Sequence, residues 1–155
     1  MSIELYRQSL AEVGIYEDLQ KIIRVGFHRF RRRQLSAIPR AGGYSNDNIK
    51  ERAACIAIRK VIEEQIGFLP TDEWQLFAEH LFGLTVDTVG RSAGERERIA
   101  GESLEGEPAQ STVRRWGGVR ERVVSALADQ IIVWGDDNNP GWRDSFESMP
   151  RNGLP

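Results

Sequence analysis

The stretch that decides the fold class runs from Val119 to Trp134 and reads VRERVVSALADQIIVW. Its apolar side chains recur at spacings of three and four residues, which places them on one face of an α-helix. Residues 130–134 alone resemble a β-strand, but they continue the helical pattern, and Gly135 is placed to end the helix. The same spacing recurs along most of the chain, and no hairpin turn flanked by alternating apolar residues occurs. The sequence therefore predicts an all-α protein.

Outward from this stretch, the same periodicity predicts a multi-helix bundle. Ser2 is placed to cap a short first helix that ends at Gly14, and a second helix begins near Tyr16 and carries a basic last turn. We predict a single helical domain over residues 1–135. Residues 136–155 are polar and rich in Gly, Pro and Asn, so they are predicted to form a flexible, disordered tail.

The composition fits one compact domain in a reducing compartment. Of 155 residues, 40% are hydrophobic, which is enough for one core. Cys55 is the one cysteine, so no disulfide forms within the chain and a cytoplasmic location is expected. Glu4 and Arg7 interrupt the opening residues where a signal peptide needs an apolar run. No stretch approaches the ~18 apolar residues of a membrane span.

The sequence favours a protein without catalytic residues. Two histidines, His28 and His80, with one cysteine are too few for a zinc site unless several carboxylates join them. His80 is predicted to be half-buried and structural, and Cys55 to be buried and inert. No nucleophile-elbow, phosphate-loop or dinucleotide-binding glycine pattern occurs. We therefore predict no enzyme activity, no cofactor and no metal.

The stretch from Gly94 to Trp116, GERERIAGESLEGEPAQSTVRRW, has the order helix, turn, helix. In its first helix, Ile99 and Ala100 are predicted to pack on a neighbouring helix. In the second helix, Val113 and Trp116 are three residues apart and are predicted to face the core together. The side chains left to point outward are Ser111, Thr112, Arg114 and Arg115. Hydroxyl and guanidinium groups on such a helix can contact phosphates and guanine edges in a DNA major groove.

The residues before this stretch extend the likeness to a DNA-binding module. Residues 66–74 read IGFLPTDEW and residues 81–84 read LFGL. This order is similar to the lead-in of the four-helix module in region four of sigma factors. The resemblance covers residues 66–132. It implies a DNA-contacting helix-turn-helix within residues 66–134, in which the outward side chains of the helix at 111–115 contact the DNA.

Three features of this chain depart from that pattern. The turn between the two helices is longer than the usual three to four residues. It carries the acids Glu102, Glu105 and Glu107, which would repel phosphates if they faced DNA. A Gly117-Gly118 pair breaks the second helix soon after its outward residues. The alternative interpretation is a pair of ordinary bundle helices whose arginines are solvated.

A second candidate contact lies in the acid-free segment of residues 19–46, which carries seven basic residues. The phosphate contacts predicted here are Arg29, Arg31, Arg32 and Arg33. A membrane-surface helix, with Phe27 and Phe30 as its apolar side, is another interpretation. The segment can also pair with the chain's own acids, because the rest of the chain has 14 basic and 23 acidic residues.

These observations predict a DNA-binding or transcription-associated protein that uses a helix-turn-helix. The alternative is a helical adaptor, such as an accessory protein of a phage or mobile element, that recruits a protein partner. Its contact would be the tail, where Trp142, Phe146 and Met149 fall at spacings of four and three residues. They either form one face of a helix that folds on binding or pack back on the bundle.

Overall fold

The chain folds into a bundle of α-helices, seen in a computed structural model that describes residues 10–148. No strand occurs within this range, and the predicted all-α class is confirmed. A short 3-10 turn spans Arg32–Gln34. We number the α-helices α1 (Leu10–Val25), α2 (Ile38–Ala41), α3 (Glu51–Ile66), α4 (Asp72–Leu81), α5 (Ala93–Glu102), α6 (Gln110–Arg114), α7 (Val119–Asn138) and α8 (Trp142–Glu147).

The longest helix, α7, runs through the centre of the bundle and contacts α1, α2, α3, α4 and α6. Its inner stripe includes Leu127 and Ile131, both fully buried. A buried aliphatic side chain of this size contributes about 1.5–3 kcal/mol to folding. Gln20 of α1 meets Arg120 at the start of α7, and Glu12 near the start of α1 lies close to Asp129 further along α7, so the two helices run antiparallel.

Two glycines predicted to end helices lie inside helices instead. Gly14 is buried within α1, and a Cβ there would stand 2.9 Å from the Cβ of Ala37 and 3.0 Å from Cζ of Phe146. Gly135 is buried within α7, where a Cβ would stand 2.9 Å from the Cβ of Ala41. The predicted ends at these glycines are wrong, because the missing side chain serves close packing. Most of the predicted first helix, residues 2–9, lies outside the described range.

The predicted tail is ordered as far as the structure describes it. α7 continues to Asn138, and α8 follows within three residues. Trp142 and Phe146 are 2% and 3% exposed and pack back on the bundle, so neither is available to a partner. The boundary at residue 135 is therefore wrong, since the helical domain extends at least to residue 147. Met149, the third member of the predicted contact, lies outside the described residues.

The basic segment is not the last turn of a helix. α1 ends at Val25, and Gly26 follows with a φ of 118°, a conformation that favours glycine. Phe27 and Phe30 are buried in the hydrophobic core. The predicted helix through the arginines is therefore wrong. The membrane-surface interpretation is also wrong, because the two aromatic side chains it needs are covered.

A buried carboxylate, Asp18, holds α2 against α1. Its oxygens accept hydrogen bonds from the backbone N–H groups of Ser36, Ala37 and Ile38, at 2.9, 2.7 and 2.8 Å. Backbone N–H groups at a helix start lack partners within the helix, and Asp18 supplies one. Burial raises the pKa of the Asp18 carboxyl, and the three N–H donors act in the opposite direction. The start of α2 is therefore fixed by α1.

Candidate nucleic-acid interface

The stretch predicted as helix, turn, helix has that order in the structure. α5 and α6 are joined by residues 103–109, a longer connection than the usual helix-turn-helix turn. Ala100 and Val113 are fully buried, as predicted. A Cβ at Gly101 would stand 3.1 Å from Cγ2 of Val113, so the two helices approach closely at this point. The pair therefore packs through small residues.

Trp116 is exposed, which corrects the prediction that it faces the core beside Val113. α6 ends at Arg114, and Arg115 has an extended backbone with φ −62° and ψ 160°. The spacing of three residues places two side chains on one face only within a helix, and this helix stops too early. Trp116 is 90% exposed as a result.

The four outward side chains of α6 have different roles in the fold. Ser111, Thr112, Arg114 and Arg115 are all exposed. The Nε of Arg114 lies 3.1 Å from Oε1 of Glu97, although the Arg114 side chain remains 61% exposed. Within residues 10–148, Arg115 forms no ion pair. Arg114 is therefore anchored, and Arg115 is the arginine that can reach a ligand without breaking an ion pair.

Glu97 is a buried carboxylate that joins three helices. Its side chain pairs with Arg114 of α6 and Arg120 of α7, and Nε2 of Gln110 donates to it at 2.8 Å. Arg120 also donates to Oε1 of Gln20 on α1 at 2.8 Å. Glu97 was not among the residues singled out from the sequence, so this role was missed. Its position three residues before the buried Ala100 was the available signal.

Arg96 is also buried, at 4% exposed, and it has no carboxylate partner in the described chain. Its guanidinium donates to the backbone carbonyls of Arg91, Leu81 and Ile23, at 3.1, 2.6 and 2.7 Å. Leu81 ends α4 and Ile23 lies in the last turn of α1, where helix carbonyls are partly negative. Burial lowers the pKa of Arg96, and the positive charge of Arg120 lowers it further.

A groove of about 610 Å³ opens over Arg96. We call it the α5 groove and define it by its basic side chains, Arg24, His28, Arg29, Arg91 and Arg96. No Asp or Glu of the described residues lines it. Arg91 pairs on the surface with Glu95 at 2.9 Å, whereas Arg24 and Arg29 are exposed. The groove therefore presents a positive surface.

The other predicted phosphate contacts lie elsewhere. Arg31, Arg32 and Arg33 line a separate cavity beside α2. Arg32 is held within the molecule, because its Nη1 donates to the carbonyls of Tyr44 and Ile49 at 2.8 and 2.9 Å. Arg29 is thus the one member of the predicted set of four that belongs to the α5 groove.

The candidate metal and thiol residues serve the fold. His80 is 8% exposed, its Nδ1 lies 2.9 Å from Oγ1 of Thr85, and burial lowers its pKa. Cys55 is 4% exposed, and burial raises the pKa of its thiol. Within residues 10–148, no group of three or more His, Cys, Asp or Glu side chains could hold a metal ion.

Comparisons with protein-family models, with curated proteins and with solved structures give no match to this chain. No helix in residues 10–148 has the length and apolar character needed to cross a membrane. The function of the α5–α6 face is therefore inferred from its own geometry and charge.

Proposed function

We propose that this protein binds duplex DNA, without catalysis, through a face formed by α6 and the α5 groove. The observation that carries the proposal is a concentration of arginine around the first turns of α5. Arg24 and Arg29 are exposed there, Arg115 is exposed just after the end of α6, and none of the three has a carboxylate partner among residues 10–148.

The first turn of α5 connects the two parts of this face. Nε2 of Gln110, at the start of α6, donates to the carbonyl of Gly94 at 3.2 Å. Ser92 and Ala93 of the same turn line the α5 groove. α6 and the groove therefore both adjoin the first turn of α5, and we expect one duplex to contact both.

The guanidinium groups of the face favour phosphate, and the exposed Glu105 and Glu107 of the connection before α6 act against it. The buried carboxylate of Glu97 is matched by two guanidinium groups, those of Arg114 and Arg120. The α5 groove adds arginines without adding an acid. A face of this kind attracts DNA although the whole chain carries a net charge of −2.

The side chains divide into two roles under this proposal. Ser111, Thr112 and Arg115 of the α6 region contact base edges, and Arg24 and Arg29 contact phosphates. α6 has only five residues, so it reaches few base pairs, and phosphate contacts supply most of the affinity. We therefore expect DNA binding to depend strongly on salt concentration and only modestly on the base sequence. The single buried cysteine is compatible with action in the cytoplasm.

The test is binding of a fluorescent 20-base-pair duplex, measured by anisotropy over a salt series. The double variant Arg114→Ala/Arg115→Ala is expected to bind at least tenfold more weakly, since the lost guanine contact of Arg115 is worth about 1–3 kcal/mol and the face also loses the positive charge of Arg114. The double variant Arg24→Ala/Arg29→Ala is expected to reduce the salt slope by about two units, because each phosphate contact contributes about 0.9.

Arg52→Ala is the matched control, because Arg52 is exposed on α3 and lines neither the α5 groove nor the cavity beside α2. It is expected to bind DNA as the unmodified protein does. Affinities of both double variants within twofold of this control would refute the proposal. Circular dichroism of each variant checks that the helices remain folded.

A second candidate function, a protein-binding adaptor, is favoured by Trp116. This exposed side chain borders a groove of about 270 Å³ between α1 and α7. Tyr16 and three carboxylates, those of Glu12, Glu121 and Asp129, also line the groove. Burial raises the pKa of Asp129, and the nearby charge of Glu12 raises it further. Exposed Trp beside carboxylates suits a basic peptide, since Trp is a frequent binding hot spot and stacks on cations.

The adaptor function is tested with a peptide of alternating Arg and Leu, titrated while tryptophan emission is recorded. Trp116→Ala is expected to abolish the emission change, and Trp134→Phe is the control substitution of another tryptophan. A response that is the same in Trp116→Ala and in the unmodified protein would refute the adaptor function.

A further inference from the structure

A second arginine cluster lies apart from the α5 groove. It lines a cavity of about 400 Å³ between the 3-10 turn, α2 and the loop that leads into α3. We call it the α2 cavity and define it by its arginines, Arg31, Arg32, Arg33 and Arg40. Arg31 and Arg33 are exposed, so these two arginines of the cavity are not required for the packing of the helices.

The wall of the α2 cavity is rigid because Arg32 is fixed. Its Nη1 donates to the carbonyls of Tyr44, Asn46 and Ile49, at 2.8, 3.2 and 2.9 Å, which closes the loop before α3. The backbone N–H of Arg32 also donates to Oε1 of Glu51 at 2.7 Å. The part of the wall that Arg32 forms is therefore already ordered, and no entropy is lost in ordering it on binding.

The cavity carries a net positive charge. Glu51 is engaged by Arg32, whose Nε lies 3.3 Å from its Oε2. Asp47 is the other acid that lines the cavity. Within residues 10–148, Arg31, Arg33 and Arg40 form no ion pair, so three guanidinium groups face one carboxylate. Nη1 of Arg40 is held near the cavity by Oγ of Ser145, at 3.3 Å.

We propose that the α2 cavity binds an organic polyphosphate such as a nucleoside diphosphate. Guanidinium groups bind phosphate oxygens through paired hydrogen bonds, and a diphosphate supplies the charge to balance the two unmatched arginines. Leu35 and Pro39 add an apolar wall, which accommodates the organic part of the ligand. The volume lies in the range of small-ligand sites, about 300–1,000 Å³. This site is independent of the proposed DNA contact.

The test is isothermal titration of the full chain with ADP, with inorganic pyrophosphate and with adenosine. ADP and pyrophosphate are expected to bind saturably at sub-millimolar concentration, ADP more tightly, and adenosine is expected not to bind. Arg33→Ala/Arg40→Ala is expected to weaken ADP binding at least tenfold. Arg52→Ala, which changes an exposed arginine outside the cavity, is expected to bind ADP normally.

Titration of the same variants with duplex DNA separates the two sites. Arg33→Ala/Arg40→Ala is expected to keep its DNA affinity, and Arg24→Ala/Arg29→Ala is expected to keep its ADP affinity. The polyphosphate site is overturned if ADP does not bind, if adenosine binds as well as ADP, or if the cavity variant binds ADP like Arg52→Ala. Loss of ADP binding in Arg24→Ala/Arg29→Ala alone would also overturn it, because the ligand would then occupy the α5 groove.

Discussion

Replacing Glu97 with Gln removes a charge from the junction of α5, α6 and α7 while keeping the size of the side chain. In the native structure the carboxylate is 3% exposed and pairs with Arg114 and Arg120. Loss of one partner of a fully buried ion pair costs about 3–5 kcal/mol. The Arg114 side chain is 61% exposed, so its share of this cost is only about 0.5 kcal/mol after rehydration.

Most of the loss comes from Arg120, whose side chain is 21% exposed and loses its charged partner, although Gln20 and the introduced amide oxygen can still accept its hydrogen bonds. We expect Glu97→Gln to lower the free energy of unfolding by about 2–3 kcal/mol, or roughly 4–12 °C in the melting temperature. Urea unfolding followed by circular dichroism measures the change. Glu95→Gln is the control on the same helix, since Glu95 pairs with Arg91 at the surface and should contribute less than about 1 kcal/mol. Equal losses in the two variants would show that the buried junction has no special role.

Three further predictions concern the packing and the ionisation of the bundle. Gly14→Ala is expected to lower the free energy of unfolding by about 1–3 kcal/mol through overpacking. Gly94→Ala is the control, because a Cβ at Gly94 meets open space, and it is expected to leave the free energy of unfolding unchanged or raise it by up to about 1 kcal/mol. Urea unfolding measures both. Hydrogen bonds from Arg143 are the main cause that holds the pKa of the Asp136 carboxyl below its ordinary value of 3.8. The contribution of Asp136 to the stability of α8 is therefore present above pH 3.8 and is lost as the pH falls through the lowered pKa. Hydrogen exchange of the α8 amides should speed up in this acidic range, and Asp136→Asn should remove that dependence. Arg96→Met is expected to lower the melting temperature by about 4–12 °C, because the buried bonds to Leu81 and Ile23 and the partly buried bond to Arg91 are lost, at roughly 1 kcal/mol each. A melting temperature within 1 °C of the native value would contradict the role assigned to Arg96.

The local features of the fold were predictable from the sequence. Thr71 followed by Asp72 and Glu73 is the pattern of a helix start, and the Oγ1 of Thr71 accepts from the N–H of Trp74 at 3.1 Å. Gly67, a residue type that often ends a helix, follows the last helical residue of α3, Ile66. Both signals act within one helical turn, where the backbone groups that need partners belong to the same segment. Such signals predict helix ends correctly because they do not depend on contacts with distant segments.

The errors came from contacts between distant segments. Gly14 has the same sequence context as a helix end, and only the approach of Ala37 and Phe146 from distant parts of the chain explains it. Burial of Arg96 and Glu97 depends on carbonyls and guanidinium groups that other helices supply. The outward side chains of α6 were found from spacing, but the α5 groove was not, because residues 24–29 and 91–96 meet only in three dimensions.

The guanidinium of Arg96, bound to three backbone carbonyls, limits how the face formed by α6 and the α5 groove can change. It fixes the first turns of α5 to the last residues of α1 and α4, both of which are anchored in the hydrophobic interior. The orientation of α5 thus depends on Leu81 and Ile23, which lie outside the proposed binding face. Substitutions at positions 111, 112 and 115 are therefore expected to change the proposed contact surface while α5 keeps its orientation.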